Sequence, residues 1–210
     1  MDERTRAGQR ETITAFVKDA LTASGSHGFD HVMRVTRLCE FIGKKEQANM
    51  DILVPAALFH DIARPLEEMD DTPHEEEGAK IAWVFLSSIG YDPALIVPIT
   101  SAIRTHRYRS DTRPETVEAK ILADADKLDA MGATGIARTF MQSGEQGRDI
   151  QDSIDHIHDK LLKLNDHLYT NTAREIGRER HDLLVYFTRN LEYELSLPDI
   201  PLVGERSCER

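Results

Sequence analysis

The chain has 210 residues, 40% of them apolar and 30% charged, enough to bury the core of one large domain and too apolar for wholesale disorder. Its 37 acidic against 26 basic residues give a formal charge of −11. That argues against a general nucleic-acid-binding surface but leaves room for a small phosphate ligand held by a local basic cluster. The two cysteines, Cys39 and Cys208, do not suggest a disulfide framework, the opening MDERTRAGQR lacks the apolar stretch of a signal peptide, and no window reaches the roughly 20 apolar residues of a membrane span, so a cytoplasmic protein without membrane contact is expected.

Helical periodicity dominates. Residues 9–24 place Ile13, Phe16, Val17, Ala20 and Leu21 on one face before Ser24-Gly25-Ser26 breaks the pattern. A second helix is predicted from Asp30 to about Gly43, with Val32, Val35, Leu38, Cys39 and Ile42 inward. Asp51 reads as the cap of a third, which carries Leu53, Ala57 and Leu58 and ends at Pro65. Thr72-Pro73 and Asp92-Pro93 each read as a cap followed by proline at the first helical position. Trp83 and Phe85 are expected in the core of the helix that stops at Gly90. Arg113-Pro114 opens a further helix that runs through Ile121 and Leu122 into DADKLDAMGA. The polar stretch 141–152, MQSGEQGRDIQD, reads as a loop; two or three more helices follow, and residues 198–210 read as a tail. With no strand alternation and no repeat, the fold class is all-α.

One stretch is chemically odd. In ALFHDIARP an imidazole and a carboxylate, His60 and Asp61, follow a segment that should be buried. Buried charge is costly unless it is paired or metal-bound. Neighbouring helical positions point about 100° apart, yet a long imidazole and a short carboxylate can converge on one ion. Other metal-capable residues lie in apolar helices: His31, His74, His106 and Asp126. Imidazole with carboxylate suits Mn, Fe, Zn, Co or Ni, and with fewer nitrogens Mg. Each residue taken singly has a plainer reading. His31 alone is a satisfied core or surface histidine, His60-Asp61 a bonded pair at a helix end, His74 first-turn decoration beside Glu75, Glu76 and Glu77, and Asp126 an ion pair with Lys127 or Arg138. Asp129 reads equally as a positioning group and a surface carboxylate. His156 and His158, two apart, share no helix face and read as solvated.

The ordered set decides between these readings. His31, then His60-Asp61, then Asp126 resembles the HD superfamily of metal-dependent phosphohydrolases, and FDHVMRVTRL, ALFHDIARP, HEEEGAKIA, IRTHR and ILADADKLDAMGATGIAR occur in that family's order. KLLKLNDHLYTNTAREIGRERHDLLVYF is similar to a branch of small bacterial enzymes that hydrolyse nucleoside triphosphates to the monophosphate and pyrophosphate. The resemblance implies a single HD-type helical domain over 1–210, with a metal-site core at 20–140 and C-terminal helices at 150–195 walling the pocket. It implies His31, His60, Asp61 and Asp126 as metal ligands, Asp126 rather than Asp124 taking the family aspartate's place. His74 and His106 match the extra histidines of two-metal members, where Asp61 would bridge the ions. Water bound to the metal would attack phosphorus. Catalytic roles are expected for Asp61, Arg64 and Lys127. Substrate contacts are expected from Arg64, Arg104, Arg107, Lys127, Lys160, Lys163 and His27. The expected cofactor is one divalent ion, with a second if the extra histidines bind, and the expected partner is a small phosphate substrate, a nucleotide by resemblance. A homodimer stays open. The rivals are a dinucleotide phosphodiesterase, a di-iron oxygenase and a non-catalytic nucleotide-binding module with a structural metal.

Overall fold

A computed structural model describes residues 3–21, 28–70, 72–108 and 112–197. Its elements are α1 (Glu3–Ala20), α2 (Phe29–Lys45), α3 (Met50–Phe59), α4 (Arg64–Asp70), α5 (His74–Ser88), α6 (Pro93–Thr105), α7 (Val117–Asp129), α8 (Gly132–Glu145), α9 (Ile150–Asp159), a 3-10 helix (Leu161–His167) and α10 (Asn171–Ser196). No strand occurs among the described residues, in agreement with the all-α expectation.

The centre of the fold is α3. MDILVPAALF is apolar on every side, and Leu53 through Phe59 are all buried. Such a helix must be enclosed, and α1, α2, α5, α6 and α7 pack around it. α10 closes the C-terminal half, against α7, α8, α9 and the 3-10 helix. Asp124 serves that junction: its carboxylate accepts from the backbone N–H groups of Tyr169 and Thr170 and from the Thr170 hydroxyl, each at 2.8 Å.

Several element boundaries differ from the sequence expectation. α1 starts at Glu3, a full turn and more before residue 9, and residues 22–24 of the expected span lie outside the described residues. Asn49, not Asp51, caps α3: its side chain accepts from the Asp51 N–H at 3.0 Å. α3 ends at Phe59, and Pro65 is the second residue of α4, where its missing N–H costs nothing. Pro73 itself is the N-cap of α5, so the helix begins at His74. Asp92 caps α6 as expected. α7 begins three residues after Pro114, because Thr116 accepts from the Ala119 N–H and sets the start. The expected 141–152 loop shrinks to 146–149. α8 continues to Glu145 and α9 begins at Ile150, fixed by a reciprocal Asp149–Asp152 capping box. Polarity misled there: Ser143 and Ser153 are buried and bond to each other at 2.8 Å. Trp83 is 46% exposed, so it is not a core residue; Phe85 is partly buried and stacks on Phe16 at 4.0 Å. Cys39 is buried and free; Cys208 and the expected tail lie outside the described residues.

Pro55 sits inside α3 and leaves the carbonyl four residues earlier, that of Asp51, without its helical donor. The Tyr91 hydroxyl donates to that carbonyl at 2.7 Å. Tyr91→Phe is therefore expected to cost about 1–2 kcal/mol in a denaturant titration. In a Pro55→Ala background the cost should shrink, since residue 55 then supplies its own N–H to the same carbonyl; an undiminished cost would show that the hydroxyl acts elsewhere.

Candidate metal centre

Four helix ends converge. His31 lies in the first turn of α2 and His74 opens α5; His60 and His106 are the C-caps of α3 and α6. All four side chains are at most 1% exposed. Each uses Nδ1 in the same way. His60 Nδ1 donates to the Ala57 carbonyl at 2.8 Å and His106 Nδ1 to the Ile103 carbonyl at 2.6 Å, both three residues back along their own helices. His31 Nδ1 meets Asp129 Oδ2 at 2.8 Å, and His74 Nδ1 meets Glu67 Oε2 at 2.8 Å. An Nδ1 that faces a carbonyl or carboxylate carries the proton, so a neutral ring presents Nε2 as a lone pair.

Those Nε2 atoms then crowd one another. His31 and His60 Nε2 are 3.2 Å apart, and His74 and His106 Nε2 are 3.4 Å apart. Nitrogens that close share either a proton or a cation, and two nitrogens held about 2.1 Å from one ion are separated by about this much. The Asp61 carboxylate stands between the pairs. Its Oδ2 is 3.3 Å from His31 Nε2 and 3.7 Å from His60 Nε2; its Oδ1 is 3.3 Å from His74 Nε2 and 3.6 Å from His106 Nε2. Oδ2 is buried yet makes no hydrogen bond, a costly state for a carboxylate oxygen. Asp126 completes the first group, with Oδ1 3.4 Å from His31 Nε2, and at 26% exposure it marks the open side. His31, His60 and Asp126 each offer a ligand atom within 4.8 Å of the others, as do Asp61, His74 and His106. The donor set, the orphaned Oδ2 and the converging Nε2 atoms all fit divalent cations.

Charge within the cluster is finely divided. Burial works against the His31 imidazolium, but Asp126, Asp129 and Asp61 outweigh it and push the pKa up to about 10. Burial pulls His60 down to about 4 and His74 down to about 3. Burial also opposes ionisation of Asp61 and Asp126. For Asp61 the neighbouring His60, Arg64, His106 and His31 reverse this, and for Asp126 His31 and His60 do, so both stay well below the ordinary carboxylate range.

A ring of carboxylates and guanidinium groups surrounds the imidazoles. Asp129 is 2% exposed and also accepts from Arg34 at 2.8 Å and Arg138 at 2.7 Å, so it is a positioning group rather than a surface carboxylate. Arg64 donates to Asp61 Oδ1 at 3.1 Å and to Glu67 at 2.8 Å, and Arg107 donates to Glu67 at 2.9 Å. Beside His106 a cleft opens, lined among others by Arg107, Tyr108, Arg113, Lys127, His167 and Tyr169. Lys127 is buried, which lowers its pKa; its amine donates to the Ala123 carbonyl at 2.9 Å and lies 4.7 Å from the centre of the Tyr169 ring.

Arg104, Lys160 and Lys163 lie outside this cleft. Arg104 pairs with Glu76 at 3.1 Å, Lys160 lines a separate hollow with Arg138 and His156, and Lys163 is exposed on the 3-10 helix. His27 lies outside the described residues. His156 and His158 are exposed, and His158 pairs with Glu192 at 2.7 Å. Sequence reading did not single out Glu67, which bonds to His74, or Tyr108, Arg113, His167 and Tyr169, which line the cleft. Tyr169 and His167 fall in the C-terminal stretch that carried the family resemblance, which was the available signal.

Known proteins resemble this chain. A family model described as the HD domain matches residues 28–131, a span that contains His31, His60, Asp61, His74, His106 and Asp126. The Bacillus subtilis protein YpgQ is 37% identical over 194 residues, which cover 89% of this chain and 94% of YpgQ. The chain belongs to the HD-domain family. Among solved HD-domain relatives, YpgQ in complex with ADP matches with a TM-score of 0.75 at 33% identity, covering 93% of this chain and 98% of that one. An HD-superfamily hydrolase from Bacillus thuringiensis matches with a TM-score of 0.74 at 30% identity, covering 92% and 100%. No described helix is long and apolar enough to cross a membrane.

A proton on His31 must leave before its Nε2 can accept a cation. With His31 raised to about 10 and His60 and His74 lowered to about 4 and 3, the metal-free centre at pH 7–8 holds that proton on His31. Apparent metal affinity, measured by competition with a chromophoric chelator, should rise about tenfold per pH unit between pH 6.5 and 8.5. A flat profile would remove His31 from the ligand set.

Proposed function

We propose that the protein is a divalent-metal-dependent phosphohydrolase acting on a nucleotide, with His31, His60, Asp61, Asp126, His74 and His106 holding the metal. The observation that supports this most is the buried Asp61 carboxylate, which turns one oxygen toward His31 and His60 and the other toward His74 and His106. A divalent ion held there would supply a water of lowered pKa and polarise a phosphoryl oxygen.

The chain's own residues supply the rest. Arg64 holds Asp61 in place through Oδ1 and keeps a cation beside the cluster, where negative charge grows on phosphoryl oxygens. Lys127 is adjacent in sequence to Asp126 and reaches into the cleft, so its ammonium is placed to meet a phosphate. Arg107 and Arg113 add positive charge along the same wall. Tyr108, His167 and Tyr169 line the cleft with aromatic rings, a chemistry suited to a nucleobase. The Tyr108 and His167 rings already meet edge to face at 5.2 Å. YpgQ was crystallised with ADP, which favours a nucleotide for this chain too. Hydrolysis of a nucleoside triphosphate to the monophosphate and pyrophosphate is the specific reaction we assign.

The second histidine pair favours a two-ion centre, and so keeps a dinucleotide phosphodiesterase and a di-iron oxygenase in view. The oxygenase requires iron and its charge-transfer spectrum; the phosphodiesterase requires turnover of a dinucleotide in place of a triphosphate. A regulatory module would bind metal and nucleotide without turnover.

One panel separates these outcomes. Metal-free protein is reloaded singly with Mn, Fe, Co, Ni, Mg or Zn and assayed for phosphate and pyrophosphate release from nucleotides and generic phosphoesters. Metal-dependent pyrophosphate release is expected; release undiminished without metal would refute the assignment. Asp61→Ala should lose both bound metal and turnover, since both histidine pairs face that one side chain. Arg64→Ala is expected to raise KM by about tenfold while metal content falls far less. The opposite split would make Arg64 a structural partner of Asp61 only.

A further inference from the structure

Two parts of the chain meet at one carboxylate beside the cleft. Asp124 lies on α7, two residues before Asp126 and three before Lys127, and is fully buried. Its Oδ1 accepts from the Tyr169 N–H and its Oδ2 from the Thr170 N–H and hydroxyl, each at 2.8 Å. The backbone is extended at Leu168 and Thr170, between the 3-10 helix and α10, so no helical carbonyl is at hand for those N–H groups. Arg174 donates to the Leu168 carbonyl at 3.1 Å, but that bond ties the segment only to its own helix, α10. Asp124 ties it to α7, the helix that carries Asp126 and Lys127.

The segment so held carries Tyr169. Its ring centre is 4.7 Å from the Lys127 ammonium, and both residues line the cleft beside His106. Lys127 is only 4% exposed, and its amine reaches back one turn to the Ala123 carbonyl at 2.9 Å. Lysine, tyrosine and aspartate thus close a loop that starts and ends on α7. We propose that Asp124 is a positioning residue of the cleft: by fixing Tyr169 against Lys127 it sets how tightly a nucleotide is held. The proposal rests on the cleft being the nucleotide site. Three donors converge on Asp124, and only an ionised carboxylate accepts on both oxygens. In Asp124→Asn the shape is kept, but an NH2 group replaces one acceptor. Whichever way that amide turns, it meets an N–H of Tyr169 or Thr170, so the tyrosine is loosened without a cavity. The start of α10 has a bond of its own, from the Ala173 N–H to the Thr170 hydroxyl at 3.3 Å, which does not involve Asp124. Ring placement and helix start are therefore separable.

Two readouts on the full metal-loaded chain test this: calorimetric titration with ADP, and the acetylation rate of Lys127 by mass spectrometry, which needs no ligand. Asp124→Asn should weaken ADP binding about tenfold and speed Lys127 acetylation about fivefold, with metal content unchanged. Tyr169→Ala should do the same. Adding Asp124→Asn to Tyr169→Ala should change neither readout further, because the carboxylate acts through the ring. Thr170→Val should move both in the same direction by less, whereas Thr170→Ser, which keeps the hydroxyl, should leave them as they are; this pair tests the same contact should Asp124→Asn fail to fold. A merely structural carboxylate would lower the thermal melt and leave Lys127 labelling unmoved. Unmoved labelling in Asp124→Asn, additive effects of the aspartate and tyrosine substitutions, or no difference between Thr170→Val and Thr170→Ser would overturn the proposal. If the unaltered chain binds no ADP, the nucleotide reading itself fails, and the labelling then decides alone whether Asp124 places the ring.

Discussion

The structure is organised around one costly group, the Asp61 carboxylate, buried with an oxygen that no hydrogen bond satisfies. A lone carboxylate in that position would pick up a proton. Instead it is held ionised by Arg64 and by imidazoles on both sides. Those imidazoles are oriented before any ligand arrives: every Nδ1 is bound to a carbonyl or carboxylate, which fixes both the tautomer and the ring plane. With every Nδ1 so engaged, the Nε2 atoms turn into the centre, an arrangement that fits divalent cations.

The helices serve this arrangement by where they stop. His60 and His106 can reach back to carbonyls three residues earlier because each sits at a C-cap, where the last carbonyls of a helix lack donors. The imidazole therefore satisfies its own helix with one nitrogen and points the other into the centre. His31 and His74 sit at helix starts, where no free carbonyl lies nearby, and their Nδ1 atoms depend on distant carboxylates, Asp129 and Glu67. Removing Asp129 would free the His31 ring to turn, whereas His74 has Glu75 Oε2 at 3.3 Å as a second partner.

That division explains what the sequence disclosed. The inner residues were legible because each breaks the apolar pattern of a buried helix: His60 and Asp61 after Leu58-Phe59, His106 after Ile103, and Asp126 after Ala125. Asp126 could be preferred over Asp124 only by resemblance, and the physical reason appears in the fold, where Asp124 is consumed by the start of α10. Asp129 stayed ambiguous because its partner His31 lies 98 residues away, a distance no periodicity spans. Composition failed in another way at 141–152. Polar side chains and two glycines suggested a loop, but a hydroxyl pair between two helices buries polar groups at no penalty when each satisfies the other. Lys160 and Lys163, expected at the substrate, do not line the cleft beside His106, since charge locates a residue at a surface without saying which surface.

Net charge presents the last constraint. A chain at −11 repels anions overall, and Glu67 and Glu75 already occupy much of Arg64 and Arg107. On the proposed reading the inner cluster holds two carboxylates, Asp61 and Asp126, and imidazoles that become neutral as they bind metal. One divalent ion would bring that cluster to neutrality and leave anion capture to Lys127 and Arg113. Two would leave it about two charges positive, in a buried space where Coulomb attraction is several times stronger than in water. An anionic substrate is drawn to an acidic protein far more readily in the second case. On that reading the second histidine pair would serve electrostatics as well as coordination, since His74 and His106 would add ligands without adding negative charge.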